Sequence, residues 1–283
     1  MPIFAIRPSL FVVLAPECSH YVALAAATQA GRRRGSKMRK MATPSEHVPP
    51  GHLAEQYWVE SRRPLASLIF LAPLLVTYEA GVLLLGVQQN GAHAFLRWLL
   101  ELLGFGQHLL LPVLMVCILL AWHFLAREPW RLSGGIISGM AVECLGLGIC
   151  LRLILFLQDM LFHIFETPVT LSIGDRLKEA VGLLGAGIYE ELLFRLILLS
   201  LTAWALRRAG VTPRVAMIAA AILTSLLFAA AHNIGPYGEL LQARSFLFRV
   251  LAGLFFTVVF LYRGFGIAAG SHAAYDILTY FSG

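Results

Sequence analysis

The stretch LASLIFLAPLLVTYEAGVLLLGV, residues 65–87, decides the fold class of this 283-residue chain. Its single charged residue is Glu79, and a bilayer core is spanned by about 20 mainly apolar residues per helix. The whole chain is similar, with 58% hydrophobic and 13% charged residues and a mean hydropathy of +0.75. A soluble domain carries about 25% charged residues. The composition therefore excludes a disordered chain, a disulfide scaffold and an ordinary cytosolic enzyme, and predicts an all-α, polytopic membrane protein.

Six further apolar runs follow the first one, so the sequence predicts a transmembrane helical bundle of about seven spans, within a range of six to eight. Two shorter stretches, His93–Phe105 and Met160–Phe165, are interpreted as interfacial or re-entrant segments. The predicted spans are Leu65–Val87, Gln107–Ala126, Gly134–Leu157, Ala180–Leu206, Val215–His232, Phe246–Tyr262 and Phe265–Phe281.

The net charge of +6 comes from short basic clusters that flank the apolar runs. This distribution is typical of membrane orientation signals and does not indicate a nucleic-acid partner. With seven spans it places the N-terminus in the cytoplasm, and we expect a multi-pass protein of a prokaryotic plasma or inner membrane. The four cysteines form no CxxC pair, which argues against a disulfide framework or a structural zinc site. The flanking basic residues are Arg62, Arg63, Arg127, Arg131, Arg207, Arg208, Arg214 and Arg263.

Three regions are predicted along the chain: a cytoplasmic N-terminal tail (1–64), N-terminal transmembrane helices (65–174) and a C-terminal transmembrane core (175–283). In the tail a mildly apolar stretch precedes GRRRGSKMRK, which is the reverse of the order in a signal peptide. Since Met38 and Met41 are candidate initiators, residues 1–40 are interpreted as an upstream extension or a dispensable tail. The alternative is one extra membrane segment near residues 3–29.

Ionisable residues at membrane depth are costly, at least ~2.5 kcal/mol each at mid-span, and indicate function by default. The fourth predicted span contains Glu190, Glu191 and Arg195. Glu191 and Arg195 are four residues apart on a helix, so we expect them to form an ion pair. On its own, this pair could be a buried ion pair without any further function. Glu190 is rotated by about 100° from Glu191 and is therefore expected to face a different partner. Glycines at 182, 185 and 187 would allow neighbouring helices to approach closely.

Two later spans contribute His232, which lies four residues after Phe228, and the pair His272 and Asp276. Each histidine on its own would suit an ordinary interhelical hydrogen bond, but together with Glu190 these groups have few partners except one another. Their convergence would provide a general base and hydrogen-bonding imidazoles for activating water. Two histidines and a carboxylate also suit a hydrolytic metal site, and zinc is the most plausible divalent ion. No serine lies in a GxSxG context.

The three motifs EELLFR (190–195), FAAAH (228–232) and HAAYD (272–276) occur in this order on three late spans. In this arrangement the chain resembles the CPBP family (CAAX protease and bacteriocin-processing) of intramembrane proteases, which includes the CAAX prenyl endopeptidases. The resemblance covers roughly residues 175–283. It implies that Glu190 activates water together with His232, while His272 contributes to the oxyanion site. Glu191 and Arg195 would support this geometry.

The resemblance further implies a peptide or protein substrate at the membrane. The eukaryotic members carry asparagine where this chain has Asp276, and the extra negative charge favours a metal over an oxyanion. Metal use therefore stays open between a zinc ion held by His232, His272, Asp276 and Glu190 and a metal-independent mechanism. The oligomeric state also stays open.

Two other functions are compatible with these residues. A proton-coupled transporter would also use intramembrane acids and histidines, and Glu79 and Glu143 are additional candidates for it. Against a transporter, the sequence has no inverted repeat and no paired broken helices. A non-catalytic membrane scaffold is the other alternative, but a scaffold does not require this set of ionisable groups.

Overall fold

The structure is a computed structural model that describes residues 50–162, 173–234 and 238–282. Within these ranges the chain is helical, which confirms the predicted all-α fold class. In chain order the elements are α1 (Pro50–Glu60), α2 (Pro64–Ala80, continued by a π-helical turn, Gly81–Leu85), α3 (Gly91–Leu102), α4 (Leu110–Leu125), α5 (Ile136–Phe162), α6 (Ile173–Glu191), a π-helical segment (Leu192–Leu199), α7 (Ser200–Arg208), α8 (Pro213–Ala231), α9 (Ala243–Arg263) and α10 (Phe265–Ser282).

Four helical stretches of the described chain are long and apolar enough to cross a membrane, judged by length and composition. They overlap the first, third, fifth and sixth predicted spans, and the shorter apolar helix α4 lies at the second. The fourth and seventh predicted spans fall on α6–α7 and α10, which hold the motif residues. The total of seven spans stays a prediction. The four stretches are Pro64–Leu85, Ile136–Leu161, Pro213–Ala231 and Ala243–Arg263.

Local sequence explains several helix boundaries. Pro64 and Pro213 occupy the first turn of α2 and α8, where a proline has the required φ and its missing N–H is not needed. Gly264 ends α9 with a φ of +85°, in the left-handed region that favours glycine, and α10 begins at the next residue. The short break keeps α9 and α10 in contact beside the motif residues.

Helix α6 is packed tightly on two sides through its glycines, as the sequence predicts. Gly185 lies against the ring of Tyr78 in α2, in a space where a side chain would collide with that ring. Gly187 lies against α10, and a Cβ atom added there would be 2.6 Å from the backbone nitrogen of Ala273. Real Cβ atoms essentially never come this close, so these glycines set the separation between α6 and its neighbours. Helix α6 is therefore held between α2 and α10.

The short helix α1 is fastened to the bundle by Arg263 at the end of α9. Arg263 makes two hydrogen bonds to the carboxylate of Glu143 in α5 and donates to Ser61 Oγ at 2.8 Å. Its guanidinium lies 3.9 Å from the ring centroid of Trp58. This network occupies one wall of a cavity of about 550 Å³ between α1 and α5. Glu143, a candidate group for a transporter, therefore has a structural partner.

A second contact of α1 is made by Glu60, which accepts hydrogen bonds from Ser133 N at 2.8 Å and from Gln56 Nε2 at 2.9 Å. Partial burial acts to raise the pKa of Glu60, but these hydrogen bonds outweigh it and hold the pKa below its usual range. The loop before α5 is thereby tied to α1.

Two shorter predictions can be compared with the described residues. The stretch His93–Phe105 forms most of α3, a 12-residue helix capped by the side chain of Asn90 and too short to span a bilayer. Of the stretch Met160–Phe165, the first residues belong to the end of α5 and the remainder lies outside the described residues. The predictions for residues 1–40 and the alternative segment near 3–29 also lie outside them.

Candidate active site

The three motif segments meet at one place in the bundle. Glu190 lies at the end of α6, His232 caps α8, and His272 lies in the first half of α10. The Glu190 side chain is 13% exposed, the His272 side chain 6% and the His232 side chain 28%. The site is thus largely enclosed, and it is most open on the side of His232.

Glu190 lies between two imidazole rings. Its Oε2 atom is 3.9 Å from Nε2 of His232 and 3.8 Å from Nε2 of His272. Both distances are too long for a direct hydrogen bond, and a water molecule bridging each pair of atoms would fit them. The sequence predicts that Glu190 faces a partner other than the one of Glu191, and in the structure Glu190 faces the two histidines.

The orientation of His232 is set by the helix it terminates. Its Nδ1 atom lies 2.8 Å from the carbonyl oxygen of Phe228, one turn earlier. Because a carbonyl oxygen only accepts, Nδ1 carries the hydrogen, and in a neutral ring Nε2 keeps a lone pair. That nitrogen lies 3.9 Å from Oε2 of Glu190, so with a neutral ring two hydrogen-bond acceptors are 3.9 Å apart.

Glu191 points away from Glu190 and joins two other groups. Its Oε1 atom accepts from Nδ1 of His272 at 2.8 Å and pairs with Nη1 of Arg195 at 3.0 Å. The Glu191 side chain is 0% exposed, and its buried carboxylate is compensated by a guanidinium and an imidazole. The predicted pairing of Glu191 with Arg195 is present, although Arg195 lies in the π-helical segment, which the sequence did not predict.

The Arg195 side chain is enclosed by apolar groups. Its guanidinium lies 4.5 Å from the ring centroid of Phe228 and 5.5 Å from that of Phe256. Its Nη2 atom donates to the carbonyl oxygen of Gly253 at 3.3 Å. Arg195 therefore connects the π-helical segment after α6 to α8 and α9, and its charge is balanced by Glu191.

Asp276 lies beside His272, as the spacing of four residues on one helix predicts. Its Oδ2 atom is 3.6 Å from Nε2 of His272, which is beyond hydrogen-bond distance. The group that orients the His272 ring is Glu191, on the opposite nitrogen. Asp276 therefore acts on His272 through its charge and not through a hydrogen bond. The carboxylate that is hydrogen-bonded to the ring is Glu191 of α6.

One residue of the site was not identified from the sequence. Phe256 of α9 is stacked on the His272 ring, with the centroids 4.4 Å apart and the planes 16° from parallel. It lies in an apolar run whose nearest polar residue, Thr257, bonds to the backbone of its own helix, so nothing in its spacing marks Phe256. The only available signal is Gly253 one turn earlier, where a Cβ atom would be 2.9 Å from Ser225, which brings α9 close to α8.

The position of His232 resolves a difficulty of depth in the predicted spans. The sequence places Glu190 and His272 near mid-span and His232 at a helix end, which predicts either an extension of the fifth span past Asn233 toward Pro236 or a tilted cavity. Helix α8 instead ends at Ala231, and His232 still reaches Glu190. The site therefore lies at the end of α8.

The same donor atoms were predicted as metal ligands, so their arrangement was compared with that chemistry. A zinc ion binds histidine nitrogen and carboxylate oxygen at about 2.0–2.2 Å. Within the described residues, no group of three or more His, Cys, Asp or Glu side chains has an arrangement that could hold a metal ion. Among the predicted ligand atoms, Nε2 of His272 is 3.6 Å from Oδ2 of Asp276 and 3.8 Å from Oε2 of Glu190, and the latter is 3.9 Å from Nε2 of His232.

A carboxylate between two imidazoles, enclosed in an apolar helical bundle, defines a membrane protein with the groups needed for acid–base chemistry on water. Residues 177–278 match the family model described as Type II CAAX prenyl endopeptidase Rce1-like. This match contains all three motifs and confirms the resemblance to the CAAX protease family, so the chain is an integral membrane protein in which residues 177–278 are similar to the type II CAAX prenyl endopeptidases. No curated protein and no solved structure matches the chain.

Proposed function

We propose that the chain hydrolyses peptide bonds of membrane-associated or CAAX-like substrates by means of water activated by Glu190 and His232. The observation that carries this proposal is the distance of 3.9 Å between Glu190 Oε2 and His232 Nε2, the ring nitrogen that carries no hydrogen in the neutral form. Two acceptors facing each other at 3.9 Å would repel, unless a molecule with two donors lies between them. Water is such a molecule, and both of its hydrogens would then be engaged.

In the proposed reaction the oxygen of this water bonds to the carbonyl carbon of the scissile peptide. Glu190 takes the proton that the water loses, and His232 orients the water through its second hydrogen. The tetrahedral intermediate collapses when the C–N bond breaks, and Glu190 returns the proton to the departing amine. The peptide is thus divided into a carboxylic acid and an amine, with one water consumed.

His272 is proposed to stabilise the negative charge on the carbonyl oxygen. Its Nδ1 hydrogen is directed to Glu191, so only Nε2 can serve the substrate, and Nε2 donates only when the ring is protonated. The carboxylates of Glu191, Asp276 and Glu190 surround the ring at 2.8, 3.6 and 3.8 Å. Negative groups at such distances favour the imidazolium form. Its charge would then be available to the oxyanion.

Metal assistance stays a prediction for this site, with the same histidines and carboxylates as ligands and zinc as the expected ion. A bound ion would polarise the carbonyl and the water. The steps above use only water and the side chains of this chain.

The test uses purified full-length protein in detergent and a panel of fluorogenic peptides, with and without a lipid chain. Wild type is compared with Glu190→Gln, and Glu101→Gln in the exposed part of α3 is the matched control. The proposal expects cleavage by wild type and by Glu101→Gln, and none by Glu190→Gln. Loss on chelation that zinc reverses would establish metal assistance, and full activity in chelator would establish the metal-independent route.

Equal cleavage by wild type and Glu190→Gln would contradict the proposed mechanism. Absence of cleavage across the panel by folded wild type would count against a protease and favour the alternatives. The same protein in liposomes then discriminates between them, because a proton-coupled transporter gives gradient-driven flux that Glu190→Gln abolishes. A scaffold gives neither cleavage nor flux.

A further inference from the structure

A second polar cluster lies directly beside the candidate active site, on the other face of α6. Tyr189 precedes Glu190 in the chain, and its hydroxyl donates to the Oε1 atom of Glu79 in α2. Tyr189 is 0% exposed and Glu79 is 9% exposed. The bond joins residues that are 110 positions apart in the chain, one in α2 and the other in α6.

The surroundings of this bond hold it in one geometry. The Tyr189 ring lies 4.5 Å from the ring centroid of His93 and 5.7 Å from that of Tyr78. Tyr78 in turn contacts Nδ1 of His93 at 3.0 Å through its hydroxyl, and its ring fills the space left by Gly185. The Tyr189 side chain of α6 is therefore buried against α2 and α3.

Helix α6 is thus tied on both sides of Glu190 by carboxylate hydrogen bonds. Tyr189 binds Glu79 of α2 on one side, and Glu191 binds His272 of α10 on the other. Glu190 lies between these two consecutive anchors, and among the described residues no direct hydrogen bond fixes its own position. Its separation from His232 depends on where the backbone of α6 is held.

We propose that Glu79 is a positioning residue for Glu190, acting through the hydroxyl of Tyr189. This inference rests on the proposed function, and it assigns a role to a residue outside the family match at 177–278. It also explains why an acidic residue lies in the first span. The Glu79 carboxylate fixes the rotation and depth of α6, and it does not touch the reacting atoms.

The first test compares Tyr189→Phe with Tyr78→Phe in the peptide cleavage assay, after normalising for folded protein by size-exclusion chromatography. Each variant loses one buried hydroxyl hydrogen bond in the same cluster, but only Tyr189→Phe releases α6 from Glu79. For Tyr189→Phe the proposal expects kcat to fall by about 10- to 100-fold with KM within about twofold. Tyr78→Phe is expected to keep kcat within about threefold of wild type.

A second pair of variants covers the case in which Tyr189→Phe does not fold. Glu79→Gln keeps a carbonyl oxygen that accepts from Tyr189, whereas Glu79→Leu removes the acceptor at similar volume. The proposal expects near wild-type kcat for Glu79→Gln and the larger loss for Glu79→Leu. Equal kcat for Tyr189→Phe and Tyr78→Phe, or for Glu79→Gln and Glu79→Leu, would overturn it.

A readout that needs no cleavage separates this inference from the proposed function. A hydrophobic carbodiimide labels carboxyl groups within membranes, and peptide mapping reports the labelling of Glu190 alone. Release of α6 should raise Glu190 labelling several-fold in Tyr189→Phe and leave it unchanged in Tyr78→Phe. If wild type cleaves no peptide, the proposed function fails while this result still supports or overturns the positioning role. Unchanged labelling in Tyr189→Phe would overturn it.

Discussion

Nδ1 of His272 donates to Oε1 of Glu191 at 2.8 Å, and this bond determines which nitrogen of the ring faces Glu190. A histidine whose second nitrogen is held by a carboxylate has a fixed orientation. The adjacent residues Glu190 and Glu191 of α6 therefore contact different groups. Glu191 holds the imidazole, and Glu190 remains available to a water molecule.

The pair of Glu191 with Arg195 should be essential for folding. Replacing either residue with alanine leaves the other charged and buried, which costs about 3–5 kcal/mol in comparable pairs. We expect Glu191→Ala and Arg195→Ala to reduce the yield of monodisperse protein and the Tm in detergent. The control is Arg97→Ala, which breaks an exposed pair with Glu101 at the same i,i+4 spacing. Normal yield and Tm for both buried variants would contradict the structural role.

Asp276 should affect catalysis less than Glu190 or Glu191 does. Because its carboxylate is 3.6 Å from His272 and does not orient the ring, Asp276→Asn preserves the shape of the site. We expect a cleavage rate within about tenfold of wild type, since only a neighbouring charge is lost. A loss as large as that of Glu190→Gln would assign Asp276 a direct part in the reaction or in binding a metal.

The close contact of α6 and α10 at Gly187 should be sensitive to a single methyl group. A Cβ atom there would lie 2.6 Å from the nitrogen of Ala273, so Gly187→Ala forces the helices apart. Overpacking of this kind typically costs about 1–3 kcal/mol, and here it would also displace His272 from Glu191. We expect a lower Tm together with reduced cleavage.

Gly146 in α5 provides the comparison, since no atom lies within 4 Å of an added Cβ at that position. Alanine is the better helix former by about 1 kcal/mol. Gly146→Ala is therefore expected to keep or raise the Tm. Equal behaviour of the two variants in thermal denaturation would argue against the tight α6–α10 contact.

The attachment of α1 should depend on pH through Glu60. Its pKa is lowered in the folded protein, so its stabilising effect is complete above the ordinary value of 4.5 and is lost as the pH falls through the folded pKa. We expect Glu60→Gln to lower the Tm at pH 7, where the charged acceptor is lost, and to have a smaller effect near pH 4. A Tm difference that stays constant between these pH values would show that the charge of Glu60 contributes nothing.

The motifs predicted which residues would meet, because acids and histidines at membrane depth have few partners except one another. The approach of Glu190 to His232 and His272 and the pair of Glu191 with Arg195 are both present. The glycines of α6 likewise predicted close helix packing. These properties depend on residue type and on spacing along one helix.

Other features depend on how separate helices are placed, which spacing does not encode. The sequence favoured Asp276 as the partner of His272 because it is one turn away, whereas the nearer carboxylate comes from α6. The stacking of Phe256 on His272 could not be seen in an apolar run. The π-helical segment after Glu191 is also not indicated by residue type, since its leucines suit a regular helix equally well.

The most direct test of the central claim is the single-turnover rate constant for cleavage, measured with enzyme in excess over the best peptide of the panel. Glu190→Gln keeps the size and hydrogen-bonding shape of the side chain but removes the base. A general base contributes about 10²- to 10⁴-fold, so we expect the rate constant to fall by at least about 10²-fold with the Tm unchanged. A rate constant within a few-fold of wild type would contradict the assignment of Glu190 as the group that activates water.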